Sequence, residues 1–102
     1  MNAPNTYAPP IETLRYIVML CDGLTVSQIA AQVGKTRQAV AQALVTYETR
    51  TGTAIIESVR PTTTLTLEGK GIAMIARDAV EQYDYANKLI AELNERMSKE
   101  SR

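Results

Sequence analysis

Between Thr25 and Tyr47 the chain reads TVSQIAAQVGKTRQAVAQALVTY, a pattern that leaves room for little but two short helices closed by a tight turn. Thr25 is placed as an N-cap, and Gln28 three residues later completes a Thr-x-x-Gln capping box. Val26, Ile29, Ala30 and Val33 recur at helical spacing and form one apolar face. Gly34 follows where a left-handed residue stops a helix. Thr36 caps a second helix, whose buried side is expected to hold Ala39, Val40, Ala43, Leu44 and Tyr47. The other side carries Arg37, Gln38, Gln42 and Thr46, hydrogen-bonding side chains of the kind that read base edges in a major groove.

The flanking segments extend this unit. Residues 1–9 are polar and proline-bearing and are expected to form a flexible arm. Pro10 suits the first turn of a helix, and Leu14, Ile17, Val18 and Cys21 mark an amphipathic stripe that Gly23 ends. Cys21 is expected in the core, where a free cysteine behaves as a small hydrophobe. After Gly52 the period changes: Ala54–Val59 and Thr62–Leu67 are β-branched-rich runs separated by Arg60-Pro61, a two-stranded hairpin. A hairpin directly after such a helix is a wing. The fold class expected is mainly α: a winged helix-turn-helix of three helices and a two-stranded wing over residues 10–68, then a long C-terminal helix over residues 69–102.

That last helix begins with Thr66 as N-cap and Glu68 at the positive end of the dipole. Ile72, Ala76, Ala79, Tyr83, Ala86, Ile90, Leu93 and Met97 alternate steps of four and three, the register of a coiled coil. These eight residues are the expected dimer interface, because a helix of roughly 45 Å outreaches what one small domain can cover. A helix folded back onto its own winged domain is the alternative.

Composition narrows the function classes. With 102 residues, 45% of them hydrophobic, and no signal-peptide layout or membrane-length apolar run, the chain is expected to be a single cytoplasmic unit. One cysteine and no histidine argue against a metal site, and they remove the commonest general base, so neither a cofactor nor catalysis is expected. Eleven basic residues balance eleven acidic ones, which counts against nucleic-acid binding. Between Lys35 and Arg60, however, four basic side chains face two acidic ones, and from Gly69 onward six of each alternate.

In these motifs the chain resembles the N-terminal winged helix-turn-helix and linker helix of LysR-type transcriptional regulators. The likeness runs without a gap from Leu14 to Gly69. Leu14, Ile17 and Leu20 stand where that family has its first-helix apolar and aromatic positions, and Thr25-Val26-Ser27 where its second helix starts. Ile29-Ala30-x-x-Val33 takes the place of its alanine pair and leucine, and Thr36-Arg37-Gln38-Ala39-Val40-Ala41 that of Ser-Gln-x-Ala-apolar-Ser. Tyr47-Glu48, Gly52, Ile55-Ile56 and Leu65-Thr66-Leu67-Glu68-Gly69 complete the match. The chain is also similar to the winged domain of molybdate-responsive regulators. Thr36, Arg37, Ala41 and Ser58 depart from the family pattern, so its base preference does not transfer. The chain stops after the linker helix, so the resemblance implies no small-molecule effector.

Together these readings lead to one expectation: a dimeric, sequence-specific regulator of transcription, most simply a repressor, on double-stranded DNA. Arg37, Gln38, Gln42 and Thr46 would meet bases, and Thr25, Ser27, Lys35, Thr36 and Arg60 would meet phosphate or serve the wing. The competing class is a winged adaptor that binds protein, such as an antagonist of a larger regulator.

Overall fold

The computed structural model describes residues 7–100; of the expected arm, residues 1–6 lie outside the described residues, as do residues 101–102 of the last helix. The elements in order are α1 (Ile11–Cys21), α2 (Val26–Val33), α3 (Arg37–Thr51), β1 (Ile56–Ser58), β2 (Thr64–Leu65) and α4 (Leu67–Glu100). The expected fold class is the observed one: a winged helix-turn-helix followed by a long helix.

Local chemistry accounts for most of the boundaries. The capping box at α2 is complete: Gln28 N donates to Thr25 Oγ1 at 3.1 Å, and Thr25 N donates to Gln28 Oε1 at 2.8 Å. Gly34 ends α2 with φ 71°, a left-handed conformation that costs a residue without Cβ nothing. Thr36 Oγ1 accepts from Ala39 N at 3.0 Å and opens α3. Thr66 Oγ1 accepts from Gly69 N at 2.9 Å and opens α4, while donating to Ala54 O at 2.7 Å.

The core lies where α1, α2, α3 and the wing converge. Ile17, Ile29, Val40, Leu44 and Ile55 are fully buried there, each such side chain stabilising the fold by about 1.5–3 kcal/mol. Tyr16, Leu20, Ala30, Tyr47, Leu65 and Ala73 surround them.

Several sequence expectations are corrected. The buried stripe of α1 is Thr13, Tyr16, Ile17 and Leu20, rotated from the expected Leu14, Ile17, Val18 and Cys21, because α1 is covered from two sides, by α3 and by α4. Cys21 is therefore exposed at the end of α1 rather than packed in the core. Ala39 is exposed too, since the inward face of α3 runs through Val40, Leu44 and Tyr47 with Ala43 half-buried beside them.

The wing is shorter than its β-branched runs suggest. It pairs antiparallel, Ile56 with Leu65 and Ser58 with Thr64, with a register shift between Ile56 and Ser58. At the start of β1, the amides of Ile55 and Ile56 donate to the Glu48 carboxylate. After β2, the Thr66 amide still donates to Ile55 O at 2.9 Å while its side chain caps α4. The Arg60-Pro61 peptide at the wing tip is cis.

Gly69 allows α4 to start against the wing. A Cβ there would lie 2.5 Å from the Ile55 carbonyl oxygen, so only glycine fits this approach.

Candidate nucleic-acid interface

The start of α2, the start of α3 and the wing tip enclose a groove of about 180 Å³ lined by Thr25, Val26, Ser27, Arg37, Val59, Arg60 and Thr63. Four residues singled out from the sequence thus meet in one place: Thr25, Ser27, Arg37 and Arg60. Two guanidinium groups and no carboxylate line the groove, so its field favours an anion. Lys35, Gln38 and Gln42 are exposed but do not line it.

The hydrogen bonds separate side chains that hold the fold from those left to face solvent. The Thr25 and Thr36 hydroxyls each accept an amide of the helix they cap. Thr36 thereby orients the first turn of α3, from which Arg37 and Gln38 project. Gln42 Nε2 donates to Thr46 Oγ1 at 3.3 Å one turn later, so these two side chains form a pair along the helix, Gln42 exposed and Thr46 half-buried. Ser58, one of the departures from the resemblance, folds the wing tip. Its Oγ donates to Arg60 O at 2.7 Å and accepts from Arg60 N at 3.3 Å. The Glu48 carboxylate points back to the wing backbone, which removes one of the two acidic groups between Lys35 and Arg60 from the groove side.

Sequence reasoning missed Val59, Thr63 and the exposed Ala39. Thr63 carried a signal in the Thr62–Thr64 run, but only the pairing register decides which threonine turns toward α2.

The expected seam on α4 divides in two. Ala76 is only 2% exposed, and Ile72 and Ala79 are half-buried, since this stretch of α4 packs on α1. Ala76 is thus covered within its own chain, as the fold-back alternative has it. Tyr83 is exposed, with the Arg15 guanidinium 5.8 Å from its ring centre. Ala86, Ile90, Leu93 and Met97 are exposed, and the structure adds Ile75 and Leu89 to them. Ile75, Ala79, Ala86, Leu89 and Leu93, at steps of four, seven, three and four, share one stripe. It begins at an apolar groove of about 210 Å³ between Leu14, Tyr47, Ile72, Ile75, Ala76 and Ala79.

Two ion pairs invisible to sequence patterning join α4 to α1. Arg15 contacts Asp84 through both guanidinium nitrogens, at 3.0 and 2.5 Å, and Arg77 reaches Asp22 at 2.5 Å. Hydrogen bonding to Arg15 holds the Asp84 carboxyl below its usual range, and the hydrogen bonds to Asp84 and Asp22 raise Arg15 and Arg77. Burial raises the Tyr47 phenol. Tyr7 packs edge-on against that ring at 6.3 Å, with the Arg50 guanidinium 4.7 Å from the Tyr7 ring centre. Among the described residues no helix is long and apolar enough to cross a membrane.

No family model and no curated protein matches the chain. Solved structures do. Full-length OxyR C199D from Pseudomonas aeruginosa superposes with a TM-score of 0.76 at 24% identity, over 83% of this chain and 29% of that one. Vibrio fischeri DarR in complex with DNA, which represents the LTTR family, gives 0.74 at 22% identity, over 93% of this chain and 30% of that one. The BenM_DBD complex with catB site 1 DNA gives 0.74 at 15% identity, over 82% of this chain and 93% of that one. The chain therefore spans less than a third of the full-length regulators and nearly all of a DNA-binding domain. Its fold is the one found in LysR-type regulators.

Proposed function

We propose that this chain, with the fold of a LysR-type DNA-binding domain and linker helix, is a DNA-binding regulator of transcription that works as a dimer in the cytoplasm. The observation that carries the reading is the groove that gathers Thr25, Ser27, Arg37 and Arg60 without a carboxylate. The α3 helix enters the major groove by its N-terminal end, where Arg37 suits a guanine and Gln38 an adenine. Gln42 and Thr46 extend the contact along the same helix face. Lys35, Ser27, Thr25 and Thr36 approach phosphates around the α2 and α3 N-termini, and Arg60 reaches backbone or minor groove from the wing.

Dimerisation uses the exposed stripe of α4. It places two α3 helices on a pseudo-palindromic site with half-sites about 34–36 Å apart or a multiple of that. Occlusion of a promoter needs nothing beyond these two surfaces, so repression is the sign of regulation we assign.

Equal numbers of acidic and basic residues favour one second reading, a winged adaptor that binds protein. Selection from random duplex pools at two salt concentrations separates the two. Enrichment of a two-fold-symmetric motif, relaxed at one position in each half-site by Arg37→Ala, is the expected result. A folded protein that enriches nothing at either salt would set the DNA reading aside in favour of the adaptor.

A further inference from the structure

The Arg15–Asp84 and Arg77–Asp22 pairs flank the α1–α4 contact. Arg15 lies in the second turn of α1 and Asp22 is its C-cap, and their partners stand seven residues apart on α4 in the opposite order. The two helices are thus antiparallel, clamped near the middle of α1 and at its C-terminal end. Between and before the clamps α4 presents Ala73, Ala76 and Ala79 to its own domain. Small side chains bring helix axes close but supply few ridges to select a crossing angle. Bidentate guanidinium–carboxylate contacts, which have a fixed plane and direction, supply that selection.

Beyond Asp84 every described residue of α4 is exposed. The helix from Asp84 to Glu100 projects as a lever of roughly 24 Å, so about 10° of swing at its base moves the far end by about 4 Å. That displacement is close to the roughly 3.4 Å rise of one base pair.

We propose that Arg15, Asp84, Arg77 and Asp22 are positioning residues that fix the exit angle of α4, and through it the half-site spacing the dimer accepts. The proposal rests on the dimeric DNA-binding reading. All four side chains are about a third to a half exposed, so their contribution to global stability is small and their main effect is on geometry.

The test has two arms. In the first, duplexes carrying the half-site selected by the native protein, with spacers of graded length, are offered to the native protein, Arg15→Ala, Asp84→Ala and the exchanged pair Arg15→Asp with Asp84→Arg. The native protein and the exchanged pair are expected to prefer one spacing. The single variants should keep the same half-site but lose roughly threefold or more of the preference over neighbouring spacings. An unchanged spacing profile in the single variants overturns the proposal.

The second arm needs no DNA. Spin labels at Gln32→Cys and Lys88→Cys in a Cys21→Ser background, diluted with unlabelled chain, report the angle within one molecule. The distance distribution should widen when Arg15→Ala and Arg77→Ala are combined, and an unchanged distribution overturns the clamp whatever the DNA arm returns. If the native protein enriches no half-site but the distribution does widen, the clamp stands and the DNA-binding reading fails instead.

Discussion

The Glu48 carboxylate accepts hydrogen bonds from the amides of both Ile55 and Ile56, at 2.7 and 3.2 Å, and so ties the last turns of α3 to the first residues of the wing. The helix that faces the groove and the hairpin that closes it are held by one side chain. Glu48→Ala leaves two half-buried amides without their acceptor, a loss of about 1–3 kcal/mol. Urea unfolding should show it, and amide exchange at Ile55 and Ile56 should quicken. Glu48→Gln keeps an acceptor and should lose less, since only the charge assistance goes.

Gly69 sets a second constraint on the wing. Gly69→Ala forces its Cβ against the Ile55 carbonyl, a backbone atom that cannot swing aside as a side chain would. A destabilisation of about 1–3 kcal/mol is expected, as for overpacking in a core. Gly71, four residues along the chain from Leu67, meets nothing at its Cβ position, so Gly71→Ala should be neutral or stabilising in the same melts.

The dimer reading turns on the exposed apolar stripe of α4. Leu89→Glu with Leu93→Glu should reduce the light-scattering mass at micromolar concentration from two chains to one, and weaken DNA binding with it. Met74→Glu is the control: Met74 is 74% exposed but stands on another side of α4, and its replacement should leave the mass at two chains. A mass of one chain for the native protein would remove the dimer.

Acid should release one clamp. The Asp84 pKa is depressed in the folded chain by Arg15, so the stability it contributes is present above its unfolded pKa and disappears as pH falls through the folded value. With spin labels at Gln32→Cys and Lys88→Cys, the distance distributions of the native sequence and of Asp84→Asn should therefore differ at neutral pH and converge in acid, where both carry an uncharged side chain at this position.

Several elements could be read directly from the chain. Thr25 with Gln28, Gly34, Thr36 and Thr66 mark helix ends, and the structure keeps each of them, because a cap is a contact among residues within four of one another. The turn of period after Gly52 located the wing for the same reason. Hydrogen-bonding residues on the outer face of α3 were visible because a polar stripe has helical spacing in any context. The meeting of Arg37 with Ser27 and Arg60 in one groove was not visible, since the wing returns to α2 across more than thirty residues.

The sequence by itself determined the order of elements, their ends and the residues of the outer face, all of which are set by short-range sterics and hydrogen bonding. Tertiary structure alone decided which side of α1 and of α4 is buried. Cys21 emerged into solvent because α4 and α3 share α1 between them, and Ala76 turned to its own domain while Ile75 and Leu89 faced out. Arg15 found Asp84 across 69 positions, and Gly69 met the Ile55 carbonyl. A heptad pattern reports that a face is apolar; which partner covers it depends on how distant segments pack, and that information is absent from any local window of the chain.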